Sequence, residues 1–482
     1  MTNRPIAEYA LLSDCHSAGL VHRLGSVDWL CFPRYDAASV FGALLDDRAG
    51  HWSIRPSNIA STRRKYLDGT LVLETEFVTT SGRLTLTDAL AVGPNERGHE
   101  LGDRSPHVLL RRAECTGGTV ELEIECAPRP EYGQTLPALR PVPGGVLASG
   151  GGSVLLLSAV VPHSFEDGSA RARVTLREGE SRSFALQYAT AEGKTSWTEE
   201  EIAERMRQTI EAWRSWSAMH QRYQGPWREL VEVSGRVLQG LTYQPTGAII
   251  AAPTTSLPEA VGGERNWDYR YTWVRDASLT LEALWVAACP DEAKRFFDFL
   301  SGTAVQQLRD EGDLQIMFGV GGERDLTERE LPHLTGWRDS RPVRIGNAAW
   351  NQRQVDVYGE LLSAVYRLRE QVGALTPATA AFLTDVADTA LRRWREPDQG
   401  IWEMRAAPEH FLHSKLMGWV ALDRAIQLAD SLGAAADKVS RWRKEREEIR
   451  RTILEQGWSE RAEAFTQSLG GDALDASALL LP

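Results

Sequence analysis

Between Gly262 and Ser278 the chain reads GGERNWDYRYTWVRDAS, where Glu264, Arg265, Asp268, Arg270, Arg275 and Asp276 interleave with Trp267, Tyr269, Tyr271 and Trp273. A core is not expected to absorb that mixture. Aromatic faces beside carboxylates and guanidinium groups match the needs of a sugar, whose C–H faces stack on rings while its hydroxyls take charge-assisted hydrogen bonds. The alternative, an exposed turn laced with ion pairs, fits poorly with so many large rings. Two further stretches carry the same signature: Arg344–Asp356 (RIGNAAWNQRQVD) and Asp398–Lys415 (DQGIWEMRAAPEHFLHSK). In the last, Glu403 follows Ile401 and Trp402 directly, and an apolar, aromatic setting raises a carboxyl pKa, as a general acid working near neutrality requires. His410 and His413 lack a carboxylate triad or a cysteine at ligand spacing, so loop packing is preferred to a metal site. GVGGER at Gly319 lacks the GxGxxG spacing of a phosphate loop.

These loops need a scaffold, and the sequence supplies two kinds. Up to about residue 195, short runs rich in Val, Leu, Thr and Phe (70–78, 83–90, 119–126, 154–158, 172–176, 183–188) alternate with turn signals at 80–82, Gly117-Gly118, 144–152 and 178–179. That pattern predicts an antiparallel β-sandwich over 1–195. From Trp197 the period changes: Ile202, Met206, Ile210 and Trp213 recur at helical spacing behind Thr198, giving a helical linker over 196–225. Beyond Gly225-Pro226 helices are predicted near 227–243, 276–288, 291–308, 351–373, 378–395, 412–431 and 435–456, with another starting near Asp472. Domain 226–482 is thus expected to be all-α, a helical toroid with its loops at one mouth. Asp276 suits the N-cap of the helix after Arg275.

With 482 residues the chain exceeds one ordinary core. Its net charge of −12, without a Lys/Arg stripe, argues against nucleic acid. No apolar run reaches membrane-span length and the start lacks a signal-peptide pattern, so a cytoplasmic location is expected. The cysteines, Cys15, Cys31, Cys115, Cys126 and Cys289, lack CxxC spacing and read as reduced thiols. Cys115 and Cys126 are open to a cross-strand pairing, but buried small hydrophobes are the preferred reading.

ERNWDYRYTWVRD, PVRIGNAAWNQRQVD and GIWEMRAAPEHFLHSKLMGWVALDRA resemble the motifs of glycoside hydrolase family 15, the glucoamylase-type inverting α-glucosidases, and most closely its bacterial trehalase branch. The likeness extends to residues 9–47, to MFGVGGERDL and to DALDAS, nearly the whole chain. It implies an N-terminal β-sandwich, a helical linker and an (α/α)6 barrel acting on a small-molecule α-glucoside, trehalose or a maltooligosaccharide; no cofactor or metal site is read from the residues. It places Glu403 as general acid, Arg275 and Asp276 on the outer hydroxyls of the non-reducing glucose, Trp350 on the +1 side, and Trp267 and Trp402 as stacking walls. For each Trp a core role is the competing reading.

Inverting hydrolysis needs a second carboxylate about 6.5–9.5 Å from the acid to activate water on the opposite face. In the family this base lies near the C-terminal end of the barrel, and the chain ends at Pro482, inside ALDASALLLP. The expectation is that the base and roughly a third of the barrel are absent. The chain alone would then turn over poorly, and its open edge would offer a route to homo-oligomers. Glu264 and Asp268 are assigned to sugar contacts or ion pairs. Two rival classes are kept: a non-catalytic carbohydrate-binding or scaffold protein, and an inverting α-glucoside phosphorylase.

Overall fold

The structure, a computed structural model, describes residues 4–481 apart from 162, 190–195, 221–222, 286–294, 297, 300–301, 304–307, 309–311 and 373. Packing divides the chain into two units. The first comprises Met1–Pro245, Ala252–Arg270 and Glu328–Gly346; the second comprises Thr246–Ala251, Tyr271–Thr327 and Asn347–Pro482. The loops 252–270 and 328–346 therefore pack with the β-rich unit, although they lie within the stretch expected to be helical.

The first unit is an antiparallel β domain. Along Leu73–Thr79, Leu73, Thr75 and Phe77 are buried while Glu74, Glu76 and Val78 are half-exposed, the period-two pattern of a strand with one face in a core. The strand Val108–Ala127 is 20 residues long. Its first half pairs with Gly82–Leu90 and Ser181–Tyr188, its second half with His51–Pro56 and Ser169–Arg177. Gly117 and Gly118, expected to form a turn between strands, lie inside this one. Pairing steps from Arg83–Gly117 to Leu84–Cys115, so Thr116 bulges out, and Gly118 takes φ 69°. A bulge bends and twists its strand, and this single strand pairs with four others along its length. Trp52, Ile54, Phe77, Leu84, Leu122, Ile124 and Leu186 fill the core. Cys115 and Cys126 share this strand, which excludes the cross-strand pairing; they are free and buried, as are Cys15 and Cys31, and Cys289 lies outside the described residues.

Helix α1 (Glu199–His220) starts with a reciprocal cap: the Glu201 amide donates to Thr198 Oγ1 at 3.2 Å, and the Thr198 amide to Glu201 Oε2 at 3.0 Å. Its Ile202 and Met206 are buried with Val72 and Val108, and its Trp213 and Trp216 with Leu71 and Val92. By packing, then, the stretch read as a linker belongs to the β unit. Helix α2 (Arg228–Gly240) ends there too, where Ser13 Oγ and Tyr35 OH donate to Gly240 O at 2.7 and 2.6 Å.

The second unit holds α3 (Val274–Trp285), α4 (Asp356–Val372), α5 (Pro377–Arg393), α6 (Leu412–Gln427), α7 (Ala429–Leu432) and α8 (Ala436–Gln456). Its described strand pairs are two residues long, Thr272–Trp273 with Met317–Phe318 and Trp458–Ser459 with Ala464–Phe465, so the switch to helix is observed. Helix α3 packs on α4, α4 on α6, and α6 on α8. Two expected boundaries move. Residues 348–351 form a 3-10 turn, because Asn347 Oδ1 caps the Ala349 amide at 3.0 Å, and the α-helix begins only at Asp356. The start expected near Asp472 is a 3-10 segment, Ala476–Leu480, capped by Asp475. The helix predicted at 291–308 lies mostly outside the described residues.

The contact of α4 with α6 depends on Gly359, where an added Cβ would lie 2.3 Å from Met417 O. Helix backbones approach that closely only when one carries no side chain. Gly359→Ala is expected to cost about 1–3 kcal/mol by overpacking, seen as a lower urea midpoint; an unchanged midpoint would mean that α4 and α6 part freely.

Candidate active site

Asp398 is fully buried and anchors the loop that carries Glu403. Its Oδ2 accepts from the Val355 amide at 2.8 Å and from Ser414 Oγ at 2.7 Å. Its backbone pairs with Glu409 in both directions, closing the loop. Burial outweighs these donors and pushes the Asp398 carboxyl up to about 6. Within the loop the Glu403 amide donates to Gly400 O at 3.0 Å and the Met404 amide to Gln399 O at 3.1 Å. Gly400 has φ 65°, and Glu403 itself has φ 54°, a left-handed conformation that a glutamate adopts only when its surroundings impose it.

That turn delivers the Glu403 carboxyl to the start of α3. Trp273 Nε1 donates to Glu403 Oε1 at 2.6 Å, and Arg275 Nη2 donates to the same oxygen at 3.3 Å. Arg275 also donates to Gln354 Oε1 and Ile401 O, both at 3.2 Å, and stands 3.3 Å from Asp276 Oδ2 and 3.8 Å from Asp356 Oδ2. The Glu403 side chain is 19 % exposed. Burial raises its pKa, against the lowering effect of the Arg275 charge and of the Trp273 hydrogen bond. A carboxyl whose protonated form burial favours is suited to giving a proton to a bound oxygen.

Arg275, Asp276 and Glu403 thus meet although 128 positions separate the first from the last. Asp276 is not an N-cap: α3 begins at Val274, so Asp276 occupies the first turn, where a carboxylate suits the helix dipole. Trp350 is half-buried on the 3-10 turn, flanked by Asn347, whose Oδ1 accepts from Arg405 at 3.0 Å, and by Gln352, whose Nε2 reaches Glu403 O at 3.4 Å. Trp402 is 56 % exposed and its Nε1 donates to Asp475 Oδ2 at 2.6 Å. Trp267 lies in the first unit, with the Arg344 guanidinium 4.7 Å from its ring centroid.

Asp268 is a buried ion-pair partner of Arg270 in the first unit, and Glu264 is exposed. His410 is exposed; His413 sits in the first turn of α6 rather than on a loop, almost fully buried, with burial lowering its pKa. Sequence reasoning passed over Trp273, Gln354, Asp356 and His413 as site residues. What signal there was lies in the motifs: Trp273 stands two residues before Arg275, and Gln354 and Asp356 close the RIGNAAWNQRQVD stretch.

An antiparallel β unit followed by a helical unit is the architecture of a bacterial glucoamylase whose crystal structure, complexed with acarbose, matches at TM-score 0.67. That match covers 97 % of this chain and 70 % of that one at 12 % identity, a likeness of fold that places the helical unit in the (α/α)6 class. Fold and sequence together define a glycoside hydrolase. The chain belongs to glycosyl hydrolases family 15, whose profile matches residues 228–482, while a trehalase-like N-terminal profile matches 1–213. Trehalase of Mycolicibacterium smegmatis is 43 % identical over 99 % of this chain and 73 % of its own length; that of Mycobacterium tuberculosis is 42 % identical over 99 % and 72 %. No helix among the described residues is long and apolar enough to cross a membrane.

Proposed function

We propose that the protein hydrolyses α,α-trehalose to glucose with inversion, Glu403 serving as general acid. The observation that carries this reading is the Glu403 carboxyl itself, raised in pKa by burial and aimed by Trp273 and Arg275. The relatives named trehalases, alike along 99 % of the chain, point to the substrate. Arg275 and Asp276 hold the outer hydroxyls of the non-reducing glucose by charge-assisted hydrogen bonds. Trp350 and Trp402 flank the leaving sugar. A carboxylate on the opposite face of the sugar, the base of an inverting displacement, is unassigned among the described residues. The test is glucose release from trehalose, maltose and isomaltose, by this chain and by one extended to the length of its relatives. Trehalose is expected to be the preferred substrate. Faster release from maltose would overturn the substrate, and glucose 1-phosphate among the products would overturn hydrolysis.

A further inference from the structure

Arg275 presents a difficulty for the chemistry just proposed. A guanidinium 3.3 Å from the Glu403 carboxyl favours the ionised form, and an ionised acid has no proton to give. Burial opposes that pull, but burial alone would leave Arg275 as an uncompensated cation in the same low-dielectric site. The neighbourhood supplies two counter-charges. Asp276, on α3, is half-buried and 3.3 Å from Nη2. Asp356, at the first position of α4, is fully buried and 3.8 Å from Nη1. Neither Asp356 oxygen has a hydrogen-bond partner among the described residues, and the nearest cation to them is Arg275. Its other close neighbour is His413 Nδ1 at 3.9 Å, on α6, a ring whose pKa burial lowers. Other charged groups around the site are Asp398, whose carboxyl the Asp356 charge also helps to push up and which Lys415 draws down, Arg405, on the Glu403 loop, and Asp475, which holds Trp402.

We propose that Asp356 is a charge-balancing residue: by offsetting Arg275 from the α4 side, it lets that cation grip the sugar without stripping the proton from Glu403. The idea rests on the reading of Glu403 as general acid. Asp356 touches no reacting atom; it acts through Arg275 and belongs to the positioning machinery.

A direct readout of Glu403 protonation tests the proposal apart from turnover. The protonated-carboxyl infrared band present in the wild-type chain and missing from Glu403→Gln is titrated against pH. In Asp356→Asn its midpoint is expected to fall by about one pH unit or more, the scale of one nearby charge. Asp356→Glu, which keeps the charge, is expected to titrate close to the wild type. A merely structural role would lower stability and leave the midpoint in place, and an unshifted Asp356→Asn midpoint overturns the proposal. Should the Asn variant not fold, as judged by circular dichroism, Asp356→Ser is titrated in its place. If neither neutral variant folds, the role is structural and the proposal falls. Undiminished trehalose hydrolysis by Glu403→Gln would instead sink the general-acid reading, whatever the infrared midpoints.

Discussion

Glu403→Gln is expected to lower kcat on trehalose by about 10²–10⁴-fold, the usual contribution of a positioned proton donor, with KM little changed. The amide keeps the size of the side chain and can still accept from Trp273 Nε1, now at 2.6 Å from Glu403 Oε1, so binding groups stay in place. The proton is what is lost. Two further readouts separate this from a general disturbance. In the wild-type chain the rate should fall as pH rises through the Glu403 pKa, which burial has raised; that limb should vanish in the variant. An α-glucosyl fluoride, whose leaving group needs no protonation, should be cleaved by both proteins at similar rates. Trehalose hydrolysis within tenfold of wild type would show that another group donates the proton.

The site was legible in the sequence to the extent that its chemistry is local. Glu403 beside Ile401 and Trp402 announces a carboxyl in an apolar setting, and the structure finds its pKa raised by burial. What sequence spacing could not convey is which charges end up together. Asp356 reads as an interior residue of the helix expected over 351–373, and only the close crossing at Gly359 and Met417 brings that helix against α6, where His413 joins it. The strands were legible where one face is buried, as at Leu73–Thr79, and obscure where both are. Ser26–Cys31 is buried at every position, Asp28 included, so no alternation marks it. The bulge at Thr116 hid a long strand behind two glycines that look like a turn.

The stretch 262–278 shows the opposite failure, because part of it is core. Asn266, Asp268 and Arg270 are fully buried, while Trp267 and Tyr269 between them remain half-exposed, an alternation with the polar residues inward. The reason lies in partners distant in sequence. Charges go inside only where every donor and acceptor is met, and the groups that meet them here come from residues 31–37, 132 and 346.

That arrangement sets the largest stability effect expected in the first unit. Arg270 grips Asp268 with two hydrogen bonds, Nε to Oδ1 at 2.8 Å and Nη2 to Oδ2 at 2.7 Å. Its remaining donors reach Ala37 O at 2.8 Å and Tyr132 OH at 2.9 Å, and its guanidinium lies 5.4 Å from the Tyr132 ring centroid. Both side chains are fully buried, so the attraction acts without screening by water. Arg270→Leu removes the cation from the Asp268 carboxylate, which keeps the Arg270 amide and the Gly346 amide, each at 3.2 Å, as neutral donors. Breaking a buried pair from one side costs about 3–5 kcal/mol, chiefly because a charge is stranded in the interior. Asp268→Leu should be as damaging, since it strands the guanidinium. The double variant Asp268→Leu/Arg270→Leu, with no charge left to strand, should be less damaging than the sum of the two single changes. Urea unfolding of the four proteins, followed by circular dichroism in the β region, reads these differences. Single-variant losses below about 1 kcal/mol, the scale of an exposed pair, would mean that water reaches Asp268 and Arg270 in solution.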